Sequence, residues 1–198
     1  MEMSTRLILI RHGSTKWNLE KRYLSFSGVG LNKKGQGEAK ILHERLKNKI
    51  IHRLYSSDAK RAIQTAQIIF RNLRIEKVPN LRELHFGAFE GSTYQQILKR
   101  YPLIYKKWLS NPYRVNIPGG ENLSVFRKRV VAAFRKIILL NKNKTVAVVS
   151  HAGVISIFLN HLLKSKDFWK YTPDFCSLNI IEFNHRRVKV QVINNNGT

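Results

Sequence analysis

The chain has 198 residues, with 36 Lys and Arg against 12 Asp and Glu and a formal net charge of +24. That length suits one domain, 1–198, with a sizeable core, and no apolar run is long enough to span a bilayer. The single cysteine, Cys176, excludes an internal disulfide framework, and with the first strand expected from Arg6 there is no room for a signal peptide; the cytoplasm is the simplest location.

The first element is the apolar run Leu7-Ile8-Leu9-Ile10, which stops abruptly at Arg11-His12-Gly13. A strand over 6–10, buried on both faces and opening into a loop, fits this pattern. Gly37 to Leu46 reads as a helix with Ala39, Leu42 and Leu46 on one face. A short strand near 53–56 precedes a helix over about 59–71 carrying Ala62, Ala66 and Ile69. Residues 75–78 suit an edge strand ending at Pro79. From Ser92 to Trp108 the chain is helical and rich in aromatics, within an insertion over about 92–117. Leu123, Phe126, Val130, Phe134 and Ile137 mark an amphipathic helix over 123–140. A strand over 145–149 runs into a helix over 153–163, and strands over 176–183 and 187–193 follow, with Asn194 to Thr198 frayed. Strand and helix alternate without repeats or a linker-like break. The expected fold class is α/β, a three-layer α/β/α sandwich with a mainly parallel central sheet.

The basic residues are scattered along the whole length and no nucleic-acid motif accompanies them. They read as a solvated surface that draws in small anionic substrates, without a specific nucleic-acid or membrane partner.

In open α/β sheets ligands bind beyond the carboxyl ends of the strands. His12 and His151 each end such a strand. A neutral imidazole at His12 is a candidate nucleophile toward phosphorus, and neighbouring cations would hold it unprotonated. Arg11 and Arg61 are candidate phosphate clamps, being planar, permanently charged donors. Backbone N–H groups at the helix start after His151, including Ala152, can face an anion. Thr15 and Asn18 offer hydroxyl and amide donors for the phosphate shell. Carboxylates are few, and Glu83, Glu90 and Glu121 are the candidates for proton transfer. No Cys/His spacing suits zinc, no Walker loop is present and no carboxylate cluster suits magnesium, so neither a metal nor another cofactor is expected.

Arg11-His12-Gly13, Thr15-Lys16-Trp17-Asn18, Ser56 to Ala66, Arg82 to Gly91, Pro118-Gly119-Gly120-Glu121 and Ser150-His151-Ala152-Gly153 occur in that order. Together, from Arg6 to about Leu159, they resemble the histidine phosphatase superfamily, the phosphoglycerate mutase-like proteins. The resemblance implies that Glu83 is the proton donor, that His151 donates a hydrogen bond to the transferring phosphoryl, and that Glu90 and Glu121 fix loops. The chain departs from the family pattern at Ser14, where relatives carry glutamate, near Gly28, where many phosphatases carry aspartate, and at Ala152, where many carry glycine.

The resemblance leaves open a small-molecule phosphatase, a cofactor-dependent mutase and a non-catalytic polyanion binder; every catalytic position is filled, which disfavours the last. Mutases of the family carry a longer insertion between the positions of Glu83 and Pro118, which shields their intermediate from water, so hydrolysis is favoured. Length, the Phe86 to Gly91 stretch and the ending from Phe168 to Phe183 look most similar to the alpha-ribazole phosphatase branch. Tyr94, Tyr101, Tyr105, Trp108 and Tyr113 could stack on a benzimidazole ring, although helix core is the commoner fate of such spacing. A broad-specificity sugar or phosphoglycerate phosphatase is the alternative, as a monomer or homodimer.

Overall fold

A computed structural model describes residues 4–184 and 187–195. Within them, β1 (Thr5–Arg11), β2 (Arg53–Ser56), β3 (Ile75–Lys77), β4 (Thr145–Ser150), β5 (Leu178–Phe183) and β6 (Val188–Asn195) form one sheet in the order β3-β2-β4-β1-β5-β6. The pairings β3-β2, β2-β4 and β4-β1 are parallel, whereas β5 and β6 are antiparallel at one edge. Seven α-helices accompany them: α1 (Lys16–Leu19), α2 (Lys33–Leu46), α3 (Lys60–Ile69), α4 (Tyr94–Arg100), α5 (Pro102–Ser110), α6 (Leu123–Leu140) and α7 (Ala152–Leu162).

The central strands are apolar on both faces because both are covered. Ile8, Ile10, Ala147 and Val149 pack under Ala39 and Leu42 of α2 and Ala62, Ala66 and Ile69 of α3. Leu7, Leu9, Val146 and Val148 pack under Phe126, Val130 and Phe134 of α6 and Ile155 and Phe158 of α7. The rings of Phe134 and Phe158 stack with centroids 4.0 Å apart. Each fully buried Val, Leu, Ile or Phe among them contributes about 1.5–3 kcal/mol of transfer free energy. The mixed α/β architecture expected from the alternation is therefore present, and its sheet is mainly parallel.

Several boundaries differ from the sequence reading. Helix α2 starts at Lys33, because Asn32 caps it by accepting from the Gly35 amide; its first turn holds no apolar residue, so periodicity could not reveal it. Helix α7 starts one residue early, at Ala152. The helical stretch from Ser92 breaks into α4 and α5 at Pro102, which cannot donate within a continuing helix. Strand β6 runs on through Asn194 and Asn195, expected to fray; residues 196–198 lie outside the described residues. Tyr105 and Trp108 are each only 2 % exposed and belong to the α6–α7 core. Tyr105 also shares a hydrogen bond with the Tyr23 hydroxyl at 2.9 Å. Those two rings are core, and their faces are closed to a ligand.

Register sets up the site. Arg11 pairs with Ser150 across β1 and β4, and the His12 amide donates to Ser150 O at 2.9 Å. The two strands thus end side by side and deliver His12 and His151 to the same point beyond their carboxyl ends.

Candidate active site

The His12 and His151 rings lie edge to face with centroids 5.2 Å apart, and both are buried. His12 Nδ1 sits 2.8 Å from Gly13 O. A carbonyl only accepts, so Nδ1 carries the proton and Nε2 presents its lone pair. Burial, and then the charges of Arg61 and Arg11, hold the His12 pKa well below the usual imidazole range. The imidazole is neutral, as a nucleophile must be. His151 is depressed in the same way, by burial and then Arg61, His12 and Arg11.

Arg61 stands between the histidines. It enters from the first turn of α3, its Nε donating to His12 Nε2 at 3.1 Å and its Nη2 to His151 Nδ1 at 3.0 Å and Ser25 O at 2.9 Å. Its Nη1 is buried without a partner, and so is Arg11 Nε. Arginine donors are seldom left so, since each unsatisfied buried group costs about 1–3 kcal/mol and more when charged. Both guanidinium groups bear on His12. Two unpartnered donors beside a neutral histidine leave hydrogen bonds that an incoming anion could take.

Glu83 is buried and fixed at both oxygens. Oε1 accepts from the Leu84 amide at 2.9 Å, and Oε2 from the Gly153 amide at 3.0 Å. Burial raises its pKa, against the amides of Gly153 and Leu84 and the charges of Arg61 and Arg11. A raised carboxyl pKa suits a group that must both give and take a proton. The start of α7 was expected to face a phosphate; its Gly153 amide faces Glu83 instead. A Cβ at Gly153 would lie 2.4 Å from Glu83 Oε1, so only glycine leaves room for the carboxylate. Ala152 is half-buried at the first helical position.

Glu90 and Glu121 are engaged elsewhere. Glu90 accepts from the amides of Ser25 and Ser27 and from the Ser25 hydroxyl, pinning the loop whose carbonyl holds Arg61. Glu121 takes Arg129 Nε at 2.6 Å and Nη2 at 2.7 Å. The place given to Thr15 needs correction. Its hydroxyl donates to Asn18 Oδ1 and accepts from the Asn18 amide, forming a capping box for α1. Its one proton is committed there, so it has none for a phosphate; Asn18 retains its Nδ2 donors. Among the described residues, no group of three or more His, Cys, Asp or Glu could hold a metal ion, and no helix is long and apolar enough to cross a membrane.

The family model for the histidine phosphatase superfamily (branch 1) matches residues 7–196. The chain belongs to that superfamily. It is 30 % identical over 193 residues to phosphoserine phosphatase 1 of Hydrogenobacter thermophilus, covering 96 % of this chain and 92 % of that one. It is 31 % identical to the 2,3-bisphosphoglycerate-dependent phosphoglycerate mutase of Blochmanniella pennsylvanica, over 94 % of this chain and 97 % of the other. The crystal structure of alpha-ribazole phosphatase from Shigella flexneri superposes with a TM-score of 0.87 at 26 % identity, over 96 % of both chains. As a member of the histidine phosphatase superfamily the chain is a phosphatase, an enzyme acting on small phosphate substrates.

Within this superfamily member, the departures from the common pattern have local explanations. Ser14 brings no carboxylate, and Glu38 of α2 supplies one, accepting from the Ser14 amide at 2.8 Å. Gly28 is exposed and faces open space. Sequence reasoning missed Ser57, whose Oγ lies 2.8 Å from His151 Nε2, although it stands in the quoted Ser56 to Ala66 segment. It also missed Ser25 and Phe175, which no motif flags: one acts through a backbone carbonyl and the other lies far along the chain.

Proposed function

We propose that this phosphatase hydrolyses phosphomonoesters without a metal, through a phosphohistidine on His12. The observation that carries this reading is the pair of unpartnered donors, Arg61 Nη1 and Arg11 Nε, beside a neutral His12. Non-bridging phosphate oxygens take these donors and draw Arg61 Nε off His12. Nε2 then attacks phosphorus in line as the ester P–O bond breaks, and Glu83 gives its proton to the leaving oxygen. Glu83 next takes a proton from water, whose oxygen attacks phosphorus and breaks the P–N bond, releasing phosphate and restoring His12.

His151 changes protonation in the cycle. While Arg61 Nη2 donates to its Nδ1, the imidazole proton resides on Nε2, toward Ser57. When a phosphate monoanion takes over the guanidinium, its P–OH proton passes to Nδ1. The ester is then a dianion, and His151 an imidazolium that donates from Nδ1 to the phosphoryl and from Nε2 to Ser57 Oγ; the proton leaves again with the released phosphate. Asn18 Nδ2 adds a donor from α1. The segment about 92–117 forms the cover on the substrate side.

For the substrate we favour alpha-ribazole 5′-phosphate. The Shigella neighbour supports it, and so do ring surfaces beside the site: Phe26 follows Ser25, is 49 % exposed and lies 4.7 Å from the His85 ring, two residues past Glu83. The resemblance to phosphoserine phosphatase 1 makes phosphoserine the second reading. Mutase activity is disfavoured: the alignment with the Blochmanniella enzyme runs over 225 positions, against 198 residues here, so that enzyme holds residues with no counterpart in this chain.

Hydrolysis of p-nitrophenyl phosphate is expected to persist in excess EDTA; strict dependence on added magnesium or zinc would sink the mechanism. In a substrate panel, alpha-ribazole 5′-phosphate is expected to exceed phosphoserine and 3-phosphoglycerate by more than about tenfold in kcat/KM, about 1.4 kcal/mol. A lead for phosphoserine transfers the assignment to the second reading. Isomerisation of 3-phosphoglycerate dependent on 2,3-bisphosphoglycerate overturns both.

A further inference from the structure

Arg11 reaches its place through a segment that the mechanism leaves unused. Pro173 to Cys176 lie between α7 and β5. Pro173 O accepts from Arg11 Nη1 at 2.7 Å, and the Cys176 amide donates to Arg11 O at 3.1 Å. Between these contacts the Arg11 guanidinium lies over the Phe175 ring, with Cζ 3.8 Å from its centroid, and that centroid is 6.1 Å from that of His12. The segment is itself anchored. The Asp174 amide and carboxylate both bond the Asn194 side chain of β6, and the Ser177 hydroxyl donates to Asp174 O. Cys176 takes a positive φ of 52°, a left-handed turn that returns the chain to β5 directly after the ring.

From this geometry we infer that Phe175 is a positioning residue for Arg11, an aromatic backstop that holds the guanidinium with its Nε toward the phosphate seat. Burial strips water from the guanidinium and lowers the Arg11 pKa to about 10. An aromatic face replaces that water through the ring quadrupole, and its flatness fixes the plane of the fork. The Pro173 carbonyl alone leaves the guanidinium free to rotate about that one bond. The ring removes this freedom before phosphate arrives, so the loss is not charged against binding. An aliphatic side chain could fill the same space without giving either effect.

The inference rests on the phosphate-binding reading of the site, so the experiment reads phosphate binding and catalysis separately. Inorganic phosphate is titrated by calorimetry, and p-nitrophenyl phosphate hydrolysis is followed in parallel, with thermal melts as the check on folding. Phe175→Ala and Phe175→Leu are expected to weaken phosphate binding and raise KM by about five- to thirtyfold, the worth of a desolvated cation–π contact. Because the phosphate oxygens are held in ground state and transition state alike, kcat is expected to fall less than threefold, by roughly the rule for uniform binding. Phe175→Tyr and Phe175→Trp restore binding. In an Arg11→Ala background, Phe175→Ala has no further effect on phosphate affinity. Phe175→Leu binding phosphate as the wild type does would reduce the ring to filler and overturn the assignment, as would a wild type that binds no phosphate. Intact, Phe175-dependent phosphate binding without any hydrolysis would leave the backstop standing and remove the catalytic reading instead.

Discussion

His12→Ala is expected to abolish turnover together with the acid-labile phosphoenzyme that rapid quench with labelled substrate would trap. His12 Nε2 is the nitrogen with a lone pair, facing the Arg61 guanidinium, since Nδ1–H is held by Gly13 O. No second nucleophile stands ready. His151 Nε2 carries a proton toward Ser57, and with phosphate bound its Nδ1 is the proton-bearing donor to the phosphoryl, so neither nitrogen has a lone pair to attack with. Cys176 is buried, and its thiol is pushed up to about 12, mainly by burial, which leaves it protonated and unreactive. The loss should exceed about 10⁴-fold in kcat, as for removal of a covalent nucleophile elsewhere. Phosphate binding should survive or tighten, because the substitution frees Arg61 Nε from its present partner. The pH profile adds a sign. A pKa lowered well below the imidazole value keeps His12 neutral far into acid, so the acidic limb of kcat/KM should lie well below pH 6.5, the ordinary imidazole value. A labelled phosphoenzyme persisting in His12→Ala would move the nucleophile elsewhere.

What the sequence revealed follows what the physics writes locally. Leu7 to Ile10 and Thr145 to Val149 announce buried strands because both faces need apolar cover, and their abrupt ends mark where His12 and His151 emerge. Arg61 was visible through its segment, although the distance to His12 depends on how α3 packs. The start of α2 was invisible, because Asn32 sets it by capping and no apolar residue follows in that turn. The aromatic run at 101–108 could have faced a ligand or the core; the packing of Tyr105 and Trp108 of α5 into the α6–α7 core decides for the core. Thr15 has the right chemistry for a phosphate donor, and its capping box with Asn18 is a three-residue spacing that the sequence did contain. Ser25 and Phe175 act through a carbonyl and a ring face, contacts that no residue pattern encodes. The amide of Gly153 serves Glu83 rather than a phosphate because β4 and the loop before Leu84 converge, which only the assembled sheet determines.

Glu83→Gln separates the proton donor from the nucleophile. The amide keeps the shape of the carboxylate but can neither give nor take the catalytic proton. One of its ends must also set an NH₂ against the amide of Leu84 or Gly153, so some loss of thermal stability is expected, about 1–3 kcal/mol for an unsatisfied buried donor. On alkyl phosphates turnover should fall roughly 10²–10⁴-fold, the usual worth of general acid–base catalysis. p-Nitrophenolate leaves without needing much protonation, so with p-nitrophenyl phosphate the first step should lose far less. Hydrolysis of the phosphohistidine still lacks its base, and the phosphoenzyme should therefore accumulate under rapid quench. The pH profile supplies an independent sign. Burial raises the Glu83 pKa, so the acid form persists to higher pH than in an exposed carboxylate, and activity on alkyl phosphates falls as pH rises through that raised value. The alkaline limb should vanish in Glu83→Gln and be shallow for p-nitrophenyl phosphate in the wild type. Equal losses of phosphoenzyme formation on the two substrates would remove Glu83 from the acid role. Glu90 or Glu121 would then have to be tested, although Ser25 and Arg129 hold those carboxylates in the resting site.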